Sequence, residues 1–439
     1  MEVSNLIFAL CLGMASFLFG KNVLKVRRNI MLGRDIDRSD RSTERWITMA
    51  RVALGQSKMV VRPVAGFLHI LVYVGFVIIN IEVLEIVIDG LIGTHRVFAF
   101  MGAFYDFLIG SFEILAFLVL VACVLFIIRR NVLQIKRFVM QEMDGWPKLD
   151  ANLILIFEIV LMSAFLLMQG ADLALQGLPE APDHYVNAGS FPISSFLLPL
   201  FDGMSIEAIV MIERSCWWFH ILGILAFLNY LPYSKHFHII LAFPNTYYSN
   251  LEPKGSFTNM ASVKNEVQMM MDPNADPYAA PAEAEDAEDP GRFGAKDVND
   301  LNWVQLMNAY SCTECGRCTS ECPANQTGKL LSPRKIMMDT RDRLEEFGAN
   351  AKDSDDGKSL LDDYISREEL WACTSCNACT QACPINIDPL SIILDMRRYL
   401  VMEESAAPTE LNMMFTNVEN NGAPWQFPAV DRLNWKDEA

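Results

Sequence analysis

CTECGRCTSECP at residues 312–323 and CTSCNACTQACP at 373–384 are one pattern written twice. Each copy spaces Cys312, Cys315 and Cys318, or Cys373, Cys376 and Cys379, by two residues. Each then adds a fourth cysteine before a proline, Cys322 or Cys383. Three thiolates at that spacing wrap one corner of an iron–sulfur cube, and the fourth ligates the cube held by the other triplet. The expected 4Fe–4S ligand sets are therefore crossed: Cys312, Cys315, Cys318 and Cys383 for one cluster, Cys373, Cys376, Cys379 and Cys322 for the other. Zinc needs only four ligands and no triplet-plus-one pattern, and disulfides do not suit an acidic cytoplasmic domain.

Working outward, 439 residues leave room for two or three domains, and the net charge of −17 is unevenly spread. Residues 1–250 hold 19 basic and 20 acidic side chains, and residues 251–439 hold 17 and 33. That balance argues against nucleic acid as a partner and puts the two parts in different solvents. Cys11, Cys123 and Cys216 lie in apolar stretches and read as small core residues.

Five apolar runs, near 4–20, 64–88, 107–128, 152–176 and 207–231, are each long enough to cross about 30 Å of hydrocarbon. The first lacks a basic region before it and a small-residue cleavage site after it, and so reads as a retained span. Residues 21–62 carry eleven lysines and arginines, whereas the loops 89–106 and 177–206 carry only Arg96. The positive-inside rule then predicts a protein of the cytoplasmic membrane with its N-terminus outside and the cysteine domain in the cytoplasm. Residues 42–60 read as a basic amphipathic segment on the inner surface.

Only six histidines occur, and intramembrane ones are candidate sites by default. His69, early in the second span, and His238, after the fifth, both fall on the cytoplasmic side and can face each other as axial ligands of a b-type haem. His220 precedes His238 by 18 residues, about 27 Å along a continuous helix, and so points to a second, outer haem. Glu82, Glu85, Asp89, Glu113 and Glu158 are further intramembrane polar groups, suited either to interfacial solvation or to proton exchange with a quinone.

The five-span plan, FLHI around His69 and the His220–His238 separation resemble the cytochrome b (gamma) subunit of respiratory nitrate reductase. PYSKHFHI at 232–239 is more similar to the cytochrome b subunit of membrane heterodisulfide reductases. In the nitrate reductase pattern a second histidine stands ten residues after the first, where this chain has Ile79. His95, in the outer loop, is then the expected partner of His220, giving two haems.

Residues 246–298 read as an acidic linker between a membrane domain at 1–245 and a two-cluster domain at 299–405, followed by a tail at 406–439 with little helical periodicity. Ser332-Pro333 and Asp388-Pro389 each start a helix, over 333–346 and 389–403, and Ser366–Glu369 forms a capping box. The cysteine motifs resemble those of the heterodisulfide reductase C subunit and the succinate dehydrogenase iron–sulfur subunit. NNGAPW at 420–425 resembles segments beside cysteine-rich CCG domains of that superfamily.

The expected fold is thus all-α: a five-helix transmembrane cytochrome b bundle fused to an all-helical ferredoxin-type domain. The expected function is quinone-linked electron transfer, with menaquinone in the membrane and a cytoplasmic partner supplying substrate chemistry. No Gly-rich flavin or nicotinamide fingerprint and no CCG domain occur in the sequence. The resemblance therefore implies a separate CCG-domain iron–sulfur subunit and admits a flavoprotein electron donor. The rival readings are a redox sensor or scaffold, and reverse flow in which quinol reduces a cytoplasmic disulfide.

Overall fold

The computed structural model describes residues 3–273, 292–350 and 356–437, so residues 274–291 of the expected acidic linker lie outside the described residues. Among the described residues there are helices and two isolated bridges but no strand. Five helices are long and apolar enough to cross a membrane: α1 (Val3–Ile30), α3 (Pro63–Ile92), α4 (Ala103–Ile127), α5 (Trp146–Gln176) and α6 (Ile206–Tyr230). Helix α4 packs between α3 and α5, and α5 lies along α6. The outward faces expose rows such as Leu6, Leu10, Met14 and Phe17, as lipid-facing surfaces do.

The first helix runs ten residues beyond the apolar stretch. Lysine and arginine sustain a helix once propagation has begun, and the cluster domain captures its end. Asn29 Nδ2 donates to the Tyr310 hydroxyl at 3.0 Å, and Arg28 Nη2 to the Gly348 carbonyl at 2.6 Å. The segment at 42–60 is helical only at first, as α2 (Ser42–Met49) with a π-turn after it. Fully buried Arg45 ties α2 down through the carbonyls of Asp40, Tyr247 and Ser249, while Trp46, Ile47 and Leu54 remain exposed. The fifth span does not continue to His238. Pro232 follows its end at Tyr230, two 3-10 turns intervene, and α7 (His238–Tyr247) restarts the helix.

After the exposed α8 (Ala261–Met271), the cluster domain repeats one plan. Helix α9 (Trp303–Ser311) leads into the first cysteine loop, then α10 (Arg317–Glu321), α11 (Pro323–Gln326) and the long α12 (Pro333–Ala349). A short α13 (Leu360–Asp363) and α14 (Arg367–Trp371) lead into the second loop, then α15 (Ala378–Ala382) and the long α16 (Pro389–Met402). The expected caps are present: Ser332 accepts from the Lys335 amide, Asp388 from the Ser391 amide, and Ser366 with Glu369 closes a capping box. Helices α10 and α15 pack together, as do α12 and α16, so the sequence repeat becomes an approximate internal twofold. The tail differs from expectation. It forms α17 (Thr409–Asn421), which has no buried residue.

One hydrophobic core joins the two halves. Val26, Ile30, Phe227, Leu231, Phe237 and Leu241 from the membrane helices pack with Leu301, Leu306, Ile336 and Ile393 of the cluster domain. That core already includes Ala295 and Val298, within the stretch read from sequence as linker. Gly294 (φ +79°) approaches α16 so closely that a Cβ would stand 2.1 Å from the Asp395 carbonyl oxygen. Gly294→Ala should therefore cost roughly 2–4 kcal/mol, read as a lower midpoint for thermal bleaching of cluster absorbance. Gly328→Ala (φ +82°, with no atom in the way) should cost only about 1 kcal/mol of backbone strain.

Candidate metal centres

Both cysteine loops turn through the same unusual backbone. The residue before the second cysteine is left-handed in each, Glu314 at φ 54° and Ser375 at φ 56°, and so is the residue after it, Gly316 at φ 69° and Asn377 at φ 62°. Left-handed residues curl a chain tightly, and non-glycine ones persist only where the surroundings hold them. The threonine after the third cysteine supplies one such hold. The Thr319 hydroxyl hydrogen-bonds Ser332 Oγ at 2.9 Å, and Thr380 donates to Asp388 Oδ1 at 3.0 Å. Each loop is thereby locked to the N-cap of its following long helix. The sequence carries this signal as a Cys-Thr pair in both copies, a repeat that the cysteine spacing overshadows.

Cys312, Cys315, Cys318 and Cys383 line one cavity together with Arg317 and Arg334. On the second side Cys322 lies within electrostatic reach of Cys373, as does Cys376. Burial pushes the Cys312 and Cys379 thiols up to about 12 and Cys383 up to about 11. Thiolates in such places need bonded cations, and iron is a fitting one. Two backbone amides point at sulfur, Ser375 N to Cys373 Sγ at 3.4 Å and Ile387 N to Cys383 Sγ at 3.3 Å; such bonds tune cluster potentials. Among the described residues no three side chains converge tightly enough for a single ion, whose sulfur ligands would sit about 3.8 Å apart.

The two sites have different surroundings. The first is roofed by the membrane half. Arg317 donates to the carbonyls of Lys58 and Met59 at 2.9 and 3.1 Å, Arg62 reaches Ser320, and Arg334 reaches the Arg137 carbonyl and Glu142. Burial pulls the Lys58 ammonium down to about 8, with the charge of Cys383 opposing it, so an anionic cluster would favour the charged lysine. The second site faces outward. Cys376 is exposed, and Arg397 clamps the Leu370 and Cys373 carbonyls at 2.5 Å while lying over the Trp371 ring.

The histidines fall into two groups. His69 and His238 have ring centroids 6.5 Å apart, with His236 5.5 Å from His238. Two imidazoles bonded at about 2 Å to one metal between them have centroids roughly 6 Å apart. His238 Nδ1 lies 3.1 Å from the Lys235 carbonyl, which as a donated bond leaves Nε2 free; His69 Nδ1 is buried with no partner. The Lys235 ammonium also pairs with Glu314, inside the first cysteine loop, and both side chains are buried. This tie between the histidine turn and the cluster loop was not foreseen from sequence, because nothing local marks it.

His95 and His220 are not brought together. His220 rests on Phe165 with Nδ1 3.0 Å from the Leu161 carbonyl, whereas His95 Nε2 stands 3.5 Å from Asp172. Leu161 and Asp172 are eleven residues apart on α5, about 16 Å, too far for ligands of one iron. The expected outer pair is corrected on that ground, and His95 instead neighbours His184 and Tyr185.

Residues 311–387 match the 4Fe-4S dicluster domain family. The chain is 29% identical, over 99% of its length, to the probable iron-sulfur-binding oxidoreductase FadF of Bacillus subtilis, covering 61% of that protein. It is 27% identical, over 92% of its length, to the EtfAB:quinone oxidoreductase of Syntrophomonas wolfei, covering 55% of it. Over 23% of the chain it is 33% identical to one component of a CoB-CoM heterodisulfide reductase of Methanosarcina acetivorans, covering 52% of that polypeptide. The chain thus spans less than two thirds of its two long relatives, both named oxidoreductases. No solved structure matches it. The C-terminal half holds a 4Fe–4S dicluster domain, in keeping with the iron–sulfur-binding name of the Bacillus relative.

The crossed ligand sets expected from the sequence make a specific demand. Cys322→Ser should damage the cube whose other thiols are Cys373, Cys376 and Cys379, leaving its sequence neighbour intact. Iron content should fall to roughly half, and EPR should retain the signal of the Cys312–Cys318 cube.

Proposed function

We propose that this chain relays electrons between a cytoplasmic redox partner and the membrane quinone pool, with the Cys312–Cys383 and Cys322–Cys379 sets holding two 4Fe–4S clusters and His69 and His238 holding one b-type haem. The observation that carries the reading is the 6.5 Å pairing of His69 with His238 beside the Lys235–Glu314 tie to the first cysteine loop. When bound, the clusters and the haem supply one-electron carriers that the polypeptide itself lacks.

The residues set up a polarity. Exposed Cys376 puts the second cluster site where a soluble partner can reach it, and Arg317, Lys58 and Arg62 fold the first against the membrane helices. Arg317 also lies within electrostatic reach of His69. The basic stretch at 21–62 supports a cytoplasmic location for this end of the bundle, with the N-terminus outside. The relative from Syntrophomonas is named for EtfAB and quinone, so an EtfAB-type flavoprotein is the donor to try first and menaquinone the acceptor. A CCG-domain iron–sulfur subunit remains the partner that the resemblance to heterodisulfide reductases implies.

His69→Ala and His238→Ala should each abolish the same b-type band in reduced-minus-oxidised spectra, and His220→Ala should keep it. Pyridine haemochrome analysis should give one haem per chain. A wild-type protein without b-type bands would refute the haem reading. A haem-bearing protein that cannot pass electrons from reduced EtfAB to menaquinone would refute the proposed partners.

A further inference from the structure

The end of the bundle away from the clusters buries a second polar system that electron transfer does not use. The loop after α3 folds back over the helix ends. Asp89 accepts from Thr94 Oγ1 at 2.5 Å and from the amides of Arg96 and Val97 at 2.8 and 3.1 Å. Glu85 accepts from the Phe98 amide and the Tyr105 hydroxyl, both at 2.8 Å. These two carboxylates are fully used, and they clamp the loop so that Arg96 enters the bundle.

Arg96 spends its donors on Asp172 at 2.5 Å, Tyr105 at 3.0 Å and Gln169 Oε1 at 2.5 Å, and the Gln169 amide donates to Glu82. Across from it, Glu113 accepts from the Ile193 and Ser194 amides at 2.9 and 3.1 Å. Two oxygens are left over. Glu82 Oε2 and Glu113 Oε1 are buried without any partner, on side chains 3% and 0% exposed and within electrostatic reach of each other.

Clamping the loop needs Asp89 and Glu85, and balancing Arg96 needs Asp172. Glu82 and Glu113 serve neither purpose; each spends only one oxygen on hydrogen bonds, and ionisable groups kept in hydrocarbon mark proton paths. Each has one oxygen fixed and one open, so it can take up or release a proton without breaking an existing bond. Glu82 is ten residues from the end of α3, about 15 Å deep. Outward from it the hydrogen-bonded groups continue through Gln169 and Arg96 to Asp172, whose carboxylate stands 3.5 Å from His95 Nε2, beside the exposed His184.

We propose that Glu82 and Glu113 are the inner proton-exchanging pair of a relay that opens, through Asp172 and His95, on the membrane face opposite the cluster domain. The proposal rests on the quinone reading above. Reduction of a quinone takes two electrons and two protons to give the quinol; the electrons arrive from the cluster side and the protons from the other. Turnover then separates charge across the membrane.

Redox-difference infrared spectroscopy of the full-length protein tests the relay without needing turnover. Stepping the wild type between oxidised and reduced states should shift a protonated-carboxyl C=O band that moves in D2O. Glu82→Gln and Glu113→Gln should each remove it, while Asp89→Asn, a loop-clamp change, keeps it. Thermal unfolding midpoints of the near-isosteric glutamine variants should stay close to wild type. Absence of the band in the wild type, or its survival in both glutamine variants, overturns the relay.

A second arm uses menaquinone-loaded vesicles, with orientation fixed by protease access to the cluster domain and a pH dye inside. Dithionite added on the cluster side should alkalinise the lumen, at least tenfold more slowly in either glutamine variant. Quinone reduction without lumen alkalinisation also overturns the relay. Failure of the wild type to reduce quinone at all defeats the functional reading instead, and the infrared result still decides the relay.

Discussion

The structure depends on a join between a greasy bundle and an acidic domain that would otherwise avoid each other. Continuous apolar packing makes the join, with Val26, Ile30, Leu231 and Phe237 entering the same core as Leu306 and Ile336. At its centre the Lys235 ammonium pairs with Glu314, with Arg341 on the far side of the same carboxylate at 2.8 Å. A buried ion pair contributes little net stability, but its partners cannot part without stranding a charge. It therefore fixes register: the turn that carries His238 has one permitted position relative to the loop that carries Cys312 and Cys315.

The internal twofold is broken at the two cysteine loops. Glu314 and Ser375 occupy equivalent left-handed positions, yet one is locked to the membrane half and the other hydrogen-bonds only near the surface. Gly316 lies under Arg334, where a Cβ would stand 2.6 Å from the guanidinium, whereas its counterpart is Asn377. Two cysteine loops of the same shape thus end up with one sheltered by basic side chains and the other open to visitors.

Much of this was legible in the chain itself. The doubled cysteine pattern, the proline-led helices behind it and the five apolar runs depend on local periodicity and capping, and the helices appear where those signals stand. What failed was extrapolation along a single element. Measuring His220 to His238 as one helical run missed the two 3-10 turns around Pro232, and pairing His95 with His220 treated depth as if it were proximity. The extension of α1, the Lys235–Glu314 tie and the seating of Arg96 on Asp172 come from contacts between segments dozens to hundreds of residues apart. No local pattern encodes those.

The shared core has a mechanical corollary. Domains joined only by a flexible connector deliver electrons by swinging, so their rates fall with solvent viscosity and with connector length. Here α1, α6 and α7 are built into the interior of the domain that carries the cysteines. The separation between the first cysteine loop and the histidine pair is a fixed dimension of the fold, as between two rungs of one ladder. Under the proposed relay, electron passage across that gap would be set by distance, driving force and reorganisation energy, and would be indifferent to thickened solvent or to the length of the segment that links the two halves in sequence.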